Sequence, residues 1–105
     1  GYGYLEAGEP IEGVDGARTV ARFTEKPDRQ TAEQMLATGR YYWNGGIFLY
    51  SASTFLEECR RFAPEVHDCA LAAVREAARA GEIVRPARAR LDPCPDISVD
   101  YAVME

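Results

Sequence analysis

Apolar positions recur with two different periods along this chain, and each change of period marks an element. Residues 1–9, GYGYLEAGE, set Tyr2 and Tyr4 at alternate positions before Leu5, the two-residue repeat of a strand. The run IEGVDGARTVARF carries Asp15-Gly16 between two β-capable arms, a hairpin signal. Its second arm, with Val20 and Phe23, stops at Glu25-Lys26-Pro27, because proline cannot donate to a sheet ladder. On an extended chain Glu25 and Lys26 would point to opposite sides, so the pattern predicts an acid and a base that do not pair. After Pro27, TAEQMLATG reads as a short helix, with Thr31 and Gln34 as a capping box and Gly39 as its C-terminal stop.

The next run, NGGIFLY, is continuously apolar after its glycines and predicts a strand buried on both faces. STFLEECRRF is helical, with Thr54 three residues before Glu57 and a face of Phe55, Leu56, Cys59 and Phe62. Pro64 opens a longer helix at its first turn. Val66, Cys69, Ala70, Ala73, Val74 and Ala77 lie on one side of it, Arg75, Glu76 and Arg79 on the other, and Gly81 ends it. RPARARLDPCPD reads as a loop or a short extended piece. ISVDYAVME begins a strand or a helix, with Asp96 or Ser98 as the cap in the helical case. Strands alternate with helices, which predicts an α/β or α+β architecture. The strands are few for a doubly wound sheet, and the first begins without a lead-in, so the sequence is expected to be cut from something longer or completed by another chain.

Composition narrows the class of function. The 105 residues suit one modest domain, and a hydrophobic fraction of 47% argues against disorder. A formal charge of −5 with no basic stripe argues against a nucleic-acid partner. Arg85, Arg88 and Arg90 are interleaved with Pro86 and Asp92 and read as a solvated loop. No apolar run reaches the length of a membrane span, and neither a membrane partner nor a signal peptide is expected. Cys59, Cys69 and Cys94 lack C-x-x-C spacing, and His67 is the single histidine, so neither a disulfide framework nor a zinc site is predicted. Buried free thiols in a reducing cytoplasm are the expectation, and His67 is given no role.

Four stretches together carry a resemblance: GYGYL at 1–5, RFTEKP at 22–27, GRYYWNGGIFLY at 39–50 and SVDYAVME at 98–105. In order and spacing the chain resembles the second half of the nucleotidyltransferase domain of mannose-1-phosphate guanylyltransferases. The resemblance covers essentially the whole chain, with residues 80–95 uninformative. It departs from the family pattern at Thr24, Gly45, Ile47 and Val99, none of which removes a side chain that handles substrate. The family's glycine-rich triphosphate loop and its magnesium-binding aspartates have no counterpart here.

The resemblance implies part of a Rossmann-like nucleotide-diphospho-sugar transferase mixed sheet, with a β-hairpin and three or more helices. It implies transfer of GMP from GTP to mannose 1-phosphate, with Mg2+ expected for the complete enzyme and its ligands outside this sequence. Lys26 would bind the sugar phosphate, Glu25 and Asn44 the ring hydroxyls, and Gly3 and Gly46 would supply close backbone contacts. Asp100 is a further substrate-binding candidate, read either as a helix cap or as a group holding the pocket from behind. Tyr41, Tyr42 and Trp43 are a core wedge or a ligand wall, with Trp43 assigned to the core. The alternative is a non-catalytic sugar-phosphate-binding or regulatory module, or a related sugar-1-phosphate nucleotidyltransferase. The 105 residues alone are expected to be inactive and to self-associate through an open sheet edge.

Overall fold

The computed structural model describes residues 2–105. They fall into two compact units, one running up to Phe48 with Met104 and Glu105, the other Leu49–Val103.

The first unit holds β1 (Tyr4–Pro10), β2 (Arg18–Thr24), α1 (Arg29–Ala37) and β3 (Tyr41–Trp43). The strands form an antiparallel sheet in the order β2-β1-β3. The opening run is itself the first arm of the predicted hairpin, and IEGVDGA is its loop rather than an arm. Ile11 N–H donates to the Ala17 carbonyl at 3.0 Å across that loop, and Gly13 and Gly16 turn it with φ of +77° and +73°. The β1–β2 register shifts on either side of Ala7. Tyr4 and Phe23 are the buried side chains of this unit.

Helix α1 forms where the sequence predicts it, but its cap is Asp28, whose carboxylate accepts from Thr31 N–H at 2.8 Å. Thr31 lies inside the first turn, because the helix begins as soon as Pro27 releases the chain. Gly39 ends the helix with φ +70°. The buried strand expected from NGGIFLY is absent: β3 stops at Trp43 and residues 47–50 join no ladder. Ile47 and Leu49 are 92% and 102% exposed. A strand exists only as a member of a ladder, and no described strand runs beside this segment. Trp43, assigned to the core, is instead 63% exposed and stacks on Tyr2 with ring centroids 5.6 Å apart.

The second unit holds α2 (Ala52–Phe62), α3 (Pro64–Arg75), β4 (Ala78–Ala80), β5 (Ile83–Arg85), α4 (Arg88–Leu91) and most of a π-helical turn, Asp100–Met104. The cap of α2 is Ser51, whose hydroxyl accepts from Thr54 N–H at 3.1 Å, so Thr54 is again inside the first turn. Pro64 opens α3 as predicted, and Ala63 joins the two helices without a linker. Helix α3 ends six residues earlier than Gly81: the chain turns back into the β4–β5 hairpin, with Gly81 at φ +59° in its two-residue turn. The glycine punctuates a hairpin rather than a helix.

An apolar groove of about 400 Å3, lined by Phe55, Leu56, Val66, Leu71, Ile97 and Val99 among others, runs through this unit. Cys59, Ala63 and Ala73 are buried. Of the three unpaired cysteines Cys59 is buried, and Cys69 and Cys94 are half-buried. The last segment resolves to a helical turn, in which Tyr101 and Ala102 N–H donate to the Ser98 carbonyl. The α/β expectation holds, with antiparallel pairing in every sheet of the described residues.

Candidate functional site

The sheet register builds the site. Tyr4 lies opposite Thr24 on one side and Trp43 on the other. One residue toward the chain start, Gly3 therefore stands between Glu25 and Asn44 in a row across three strands. Asn44 N–H donates to the Gly3 carbonyl at 2.8 Å, which closes the row on the β3 side. Alternation puts these three residues on the face opposite Tyr4 and Trp43.

Gly3 is small because the space above it is taken. A Cβ there would lie 2.5 Å from Glu25 Oε2, 3.1 Å from Phe23 Cζ and 3.3 Å from Asn44 Cβ. The Glu25 carboxyl side chain is only 6% exposed. Its Oε1 accepts from the Lys26 ammonium at 2.7 Å, while Oε2 is buried with no hydrogen-bond partner. A buried carboxylate oxygen left unsatisfied is costly, and such atoms in native folds call for an explanation.

The pairing of Glu25 with Lys26 overturns the divergence expected of an extended strand end. Lys26 takes φ +45° and is the single non-glycine residue of positive φ among those described. The left-handed turn swings the ammonium back onto its neighbour's carboxylate instead of across the strand. Local sequence argues the other way, since a residue before proline favours extended backbone. Strain of this kind concentrates at functional sites.

Asn44 Oδ1 accepts from Gly46 N–H at 3.0 Å, and Gly46 adopts φ +67° to allow it. The bond orients the amide, whose NH2 group then supplies the donors. Gly45 and Gly46 have open space where a side chain would stand, so a ligand could approach this backbone closely.

Five of the six residues proposed from sequence, Gly3, Glu25, Lys26, Asn44 and Gly46, thus form one linked cluster in the first unit. Asp100 opens the π-helical turn and belongs to the second unit. Sequence reasoning missed Phe23, the floor beneath Gly3, whose signal was its place two residues before Glu25 on the same strand face. It also missed the unsatisfied Oε2, which depends on the packing of the folded chain. Among the described residues no three His, Cys, Asp or Glu side chains converge to hold a metal ion. No helix of the described residues is long and apolar enough to cross a membrane.

A sheet end that offers a buried carboxylate packed over a glycine, beside an ammonium, suits the grip of a polar, anionic ligand. The chain belongs to the nucleotidyl transferase family, whose match spans residues 1–92. It is 44% identical over 108 residues to the mannose-1-phosphate guanylyltransferase of Klebsiella pneumoniae. It is 41% identical over 105 residues to the alginate biosynthesis protein AlgA of Pseudomonas aeruginosa. Both alignments take in 100% of this chain but 22% of the relative, so the chain spans about a fifth of the length of these proteins. A solved structure from Thermus thermophilus, described as mannose-1-phosphate geranyltransferase, superposes with a TM-score of 0.78 at 33% identity, over 99% of this chain and 28% of that one.

Proposed function

We propose that this chain is the sugar-phosphate-binding part of a mannose-1-phosphate guanylyltransferase, which transfers GMP from GTP to mannose 1-phosphate and releases pyrophosphate. The reading rests chiefly on Glu25 Oε2, buried without a hydrogen-bond partner and packed over Gly3. A sugar hydroxyl donating to that oxygen would satisfy it, and the missing Cβ at Gly3 is what lets the carboxylate sit there. The Asn44 amide would bind a second hydroxyl, and the backbone at Gly46 would lie against the ring. The Lys26 ammonium carries three N–H donors on a side chain that is 52% exposed, so a phosphate can reach it.

In the transfer, a sugar phosphate oxygen attacks the α-phosphorus of the nucleotide and pyrophosphate leaves. The residues of this chain contribute position and charge. Fixing the ring through Glu25 and Asn44 aims the phosphate, and Lys26 offsets its negative charge as it approaches a second anion. The nucleotide and the Mg2+ expected for such enzymes are assigned to residues other than these, and no step here runs through the metal. A cytoplasmic setting fits the three unpaired cysteines. Self-association is part of the proposal, supported by the exposed apolar side chains of residues 47–50.

The test uses the intact protein that carries this chain. With GTP and mannose 1-phosphate, it should release pyrophosphate and form GDP-mannose, faster than with glucose 1-phosphate or another nucleoside triphosphate. Failure to release pyrophosphate with every such pair overturns the reading.

A further inference from the structure

Residues 25–28 connect the end of β2 at Thr24 to the start of α1 at Arg29. The ladder fixes one end of this connection, since Thr24 lies opposite Tyr4. Asp28 fixes the other. Its carboxylate accepts from Thr31 N–H at 2.8 Å and its carbonyl from Ala32 N–H at 2.9 Å, so one residue makes both the cap and the first helical bond. Helix α1 buries no side chain, so its first turn depends more on the cap than on packing. Between the fixed ends Pro27 has a ring-locked φ, and Lys26 makes the reversal at φ +45°. A left-handed L-residue is unfavourable, the more so before proline. The ion pair with Glu25 returns little of that cost, because the lysine side chain is 52% exposed. Such a conformation persists only where its surroundings impose it.

We propose that Asp28 is a positioning residue for sugar-phosphate binding: by capping α1 it holds Lys26 left-handed, with the ammonium drawn onto Glu25. Asp28 itself touches no ligand and acts through Lys26. The role rests on the sugar-phosphate reading of the site given above. The hydrogen bond from Thr31 N–H holds the Asp28 carboxyl below its ordinary range, so the capping acceptor is ionised at neutral pH. Without the cap the first turn of α1 frays, and Lys26 relaxes toward the extended backbone that its place before proline favours. The ammonium then swings away from Glu25, as side chains of neighbouring residues do on an extended chain. A ligand must restore the turn as it binds, so its affinity falls with the fraction of molecules that already hold the turn.

The experiment is a double-mutant cycle in the intact protein that carries this chain, with calorimetry on mannose 1-phosphate. Asp28 is exposed and α1 buries no side chain, so Asp28→Ala is expected to fold. It should weaken binding by about twofold to thirtyfold, the range that the loss of a helix cap covers. Asp28→Asn, which caps without a charge, should bind like the wild type. In a Lys26→Ala background Asp28→Ala should cost no further affinity, because the ammonium it positions is gone. The Michaelis constant for mannose 1-phosphate should rise with Asp28→Ala while that for GTP holds, which a general loosening of the fold would not allow. Wild-type affinity in Asp28→Ala beside a loss in Lys26→Ala overturns the positioning role and leaves the sugar-phosphate reading standing. The same loss from Asp28→Ala in both backgrounds, or an equal loss in Asp28→Asn, does so too. Wild-type affinity in Lys26→Ala, or no binding by the wild type, overturns the reading itself and the positioning role with it.

Discussion

The Lys26 ammonium lies 2.7 Å from the carboxylate of its own neighbour, Glu25, because Lys26 takes φ +45° at the end of β2. A left-handed L-residue costs about 1–2 kcal/mol. Substitution at this position separates the backbone from the charge. Lys26→Ala keeps the strain and loses the ammonium, while Lys26→Gly relieves the strain and loses it too. Both should weaken mannose 1-phosphate by about tenfold to a hundredfold, the worth of a charge-assisted contact of roughly 1.5–3 kcal/mol. Only the glycine variant should hold or raise the melting temperature. Calorimetry on the ligand with thermal melts reads both quantities, and wild-type affinity in the two variants removes Lys26 from the site.

Glu25→Gln tests the sugar end of the same ligand. Its carboxylate is assigned to ring hydroxyls, so mannose 1-phosphate should bind more weakly while inorganic phosphate binds as before. Competition titrations with the two ligands give the ratio. Equal losses for both would mean that Glu25 serves only to hold Lys26.

Gly3→Ala should abolish sugar-phosphate binding at modest cost in stability. The new Cβ would stand 2.5 Å from Glu25 Oε2 and 3.1 Å from Phe23 Cζ. Both obstacles are side-chain atoms, so the fold can yield by displacing the carboxylate. The ligand then loses its acceptor. Retained affinity with an unchanged melting temperature would show that nothing binds over Gly3.

The members of this cluster were named through the family resemblance, whereas hydrophobic alternation and Pro27 located only the strand ends on which they sit, by backbone preference. The glycine at 39 and the proline at 64 were legible for the same reason: each has one strong backbone meaning. What misled was local rules competing with each other. Thr31 and Thr54 each begin a plausible capping box, yet Asp28 and Ser51, three residues earlier, take the cap. Gly81 suits a helix end as well as a hairpin turn, and alanine-rich residues before it fit either. The left-handed Lys26 was invisible, since only tertiary structure selects that conformation for a residue preceding proline. The run at 47–50 failed differently: its composition specifies a buried strand, but a strand also needs neighbours, which composition does not name.

Acid should loosen the 87–94 segment before it unfolds the chain. The hydrogen bonds from Arg90 hold the Glu76 carboxyl below its ordinary range. A depressed folded-state pKa contributes stability that is present above the unfolded value and lost as pH falls through the folded one. The protection of amides at residues 87–90 against exchange should therefore fall as the pH drops below the ordinary glutamate range. Glu76→Gln should give fast exchange at neutral pH and remove the acid step.

Ser51→Ala removes the side-chain acceptor for Thr54 N–H at the start of α2. The loss should destabilise the protein by about 0.5–2 kcal/mol in denaturant titration. Ser51→Asp should recover most of it, since aspartate caps as well and favours a helix N-terminus. Thr54→Val should cost less than Ser51→Ala, because it removes only the 2.8 Å hydroxyl–hydroxyl bond to Ser51 and leaves the Thr54 N–H in the cap.

Ala63 ends α2 and begins α3 with one pair of dihedrals, φ −137° and ψ 60°. Two helices joined in this way are geared together rather than tethered. An ordinary loop absorbs an added residue as slack, but here the addition becomes rotation, about 100° of α3 around its own axis per residue. One inserted residue would carry Val66, Ala70 and Ala73 away from the side they now present and bring charged positions round in their place. Chain length at this junction is thus a phase setting, and the apolar groove of the second unit exists only at one value of it.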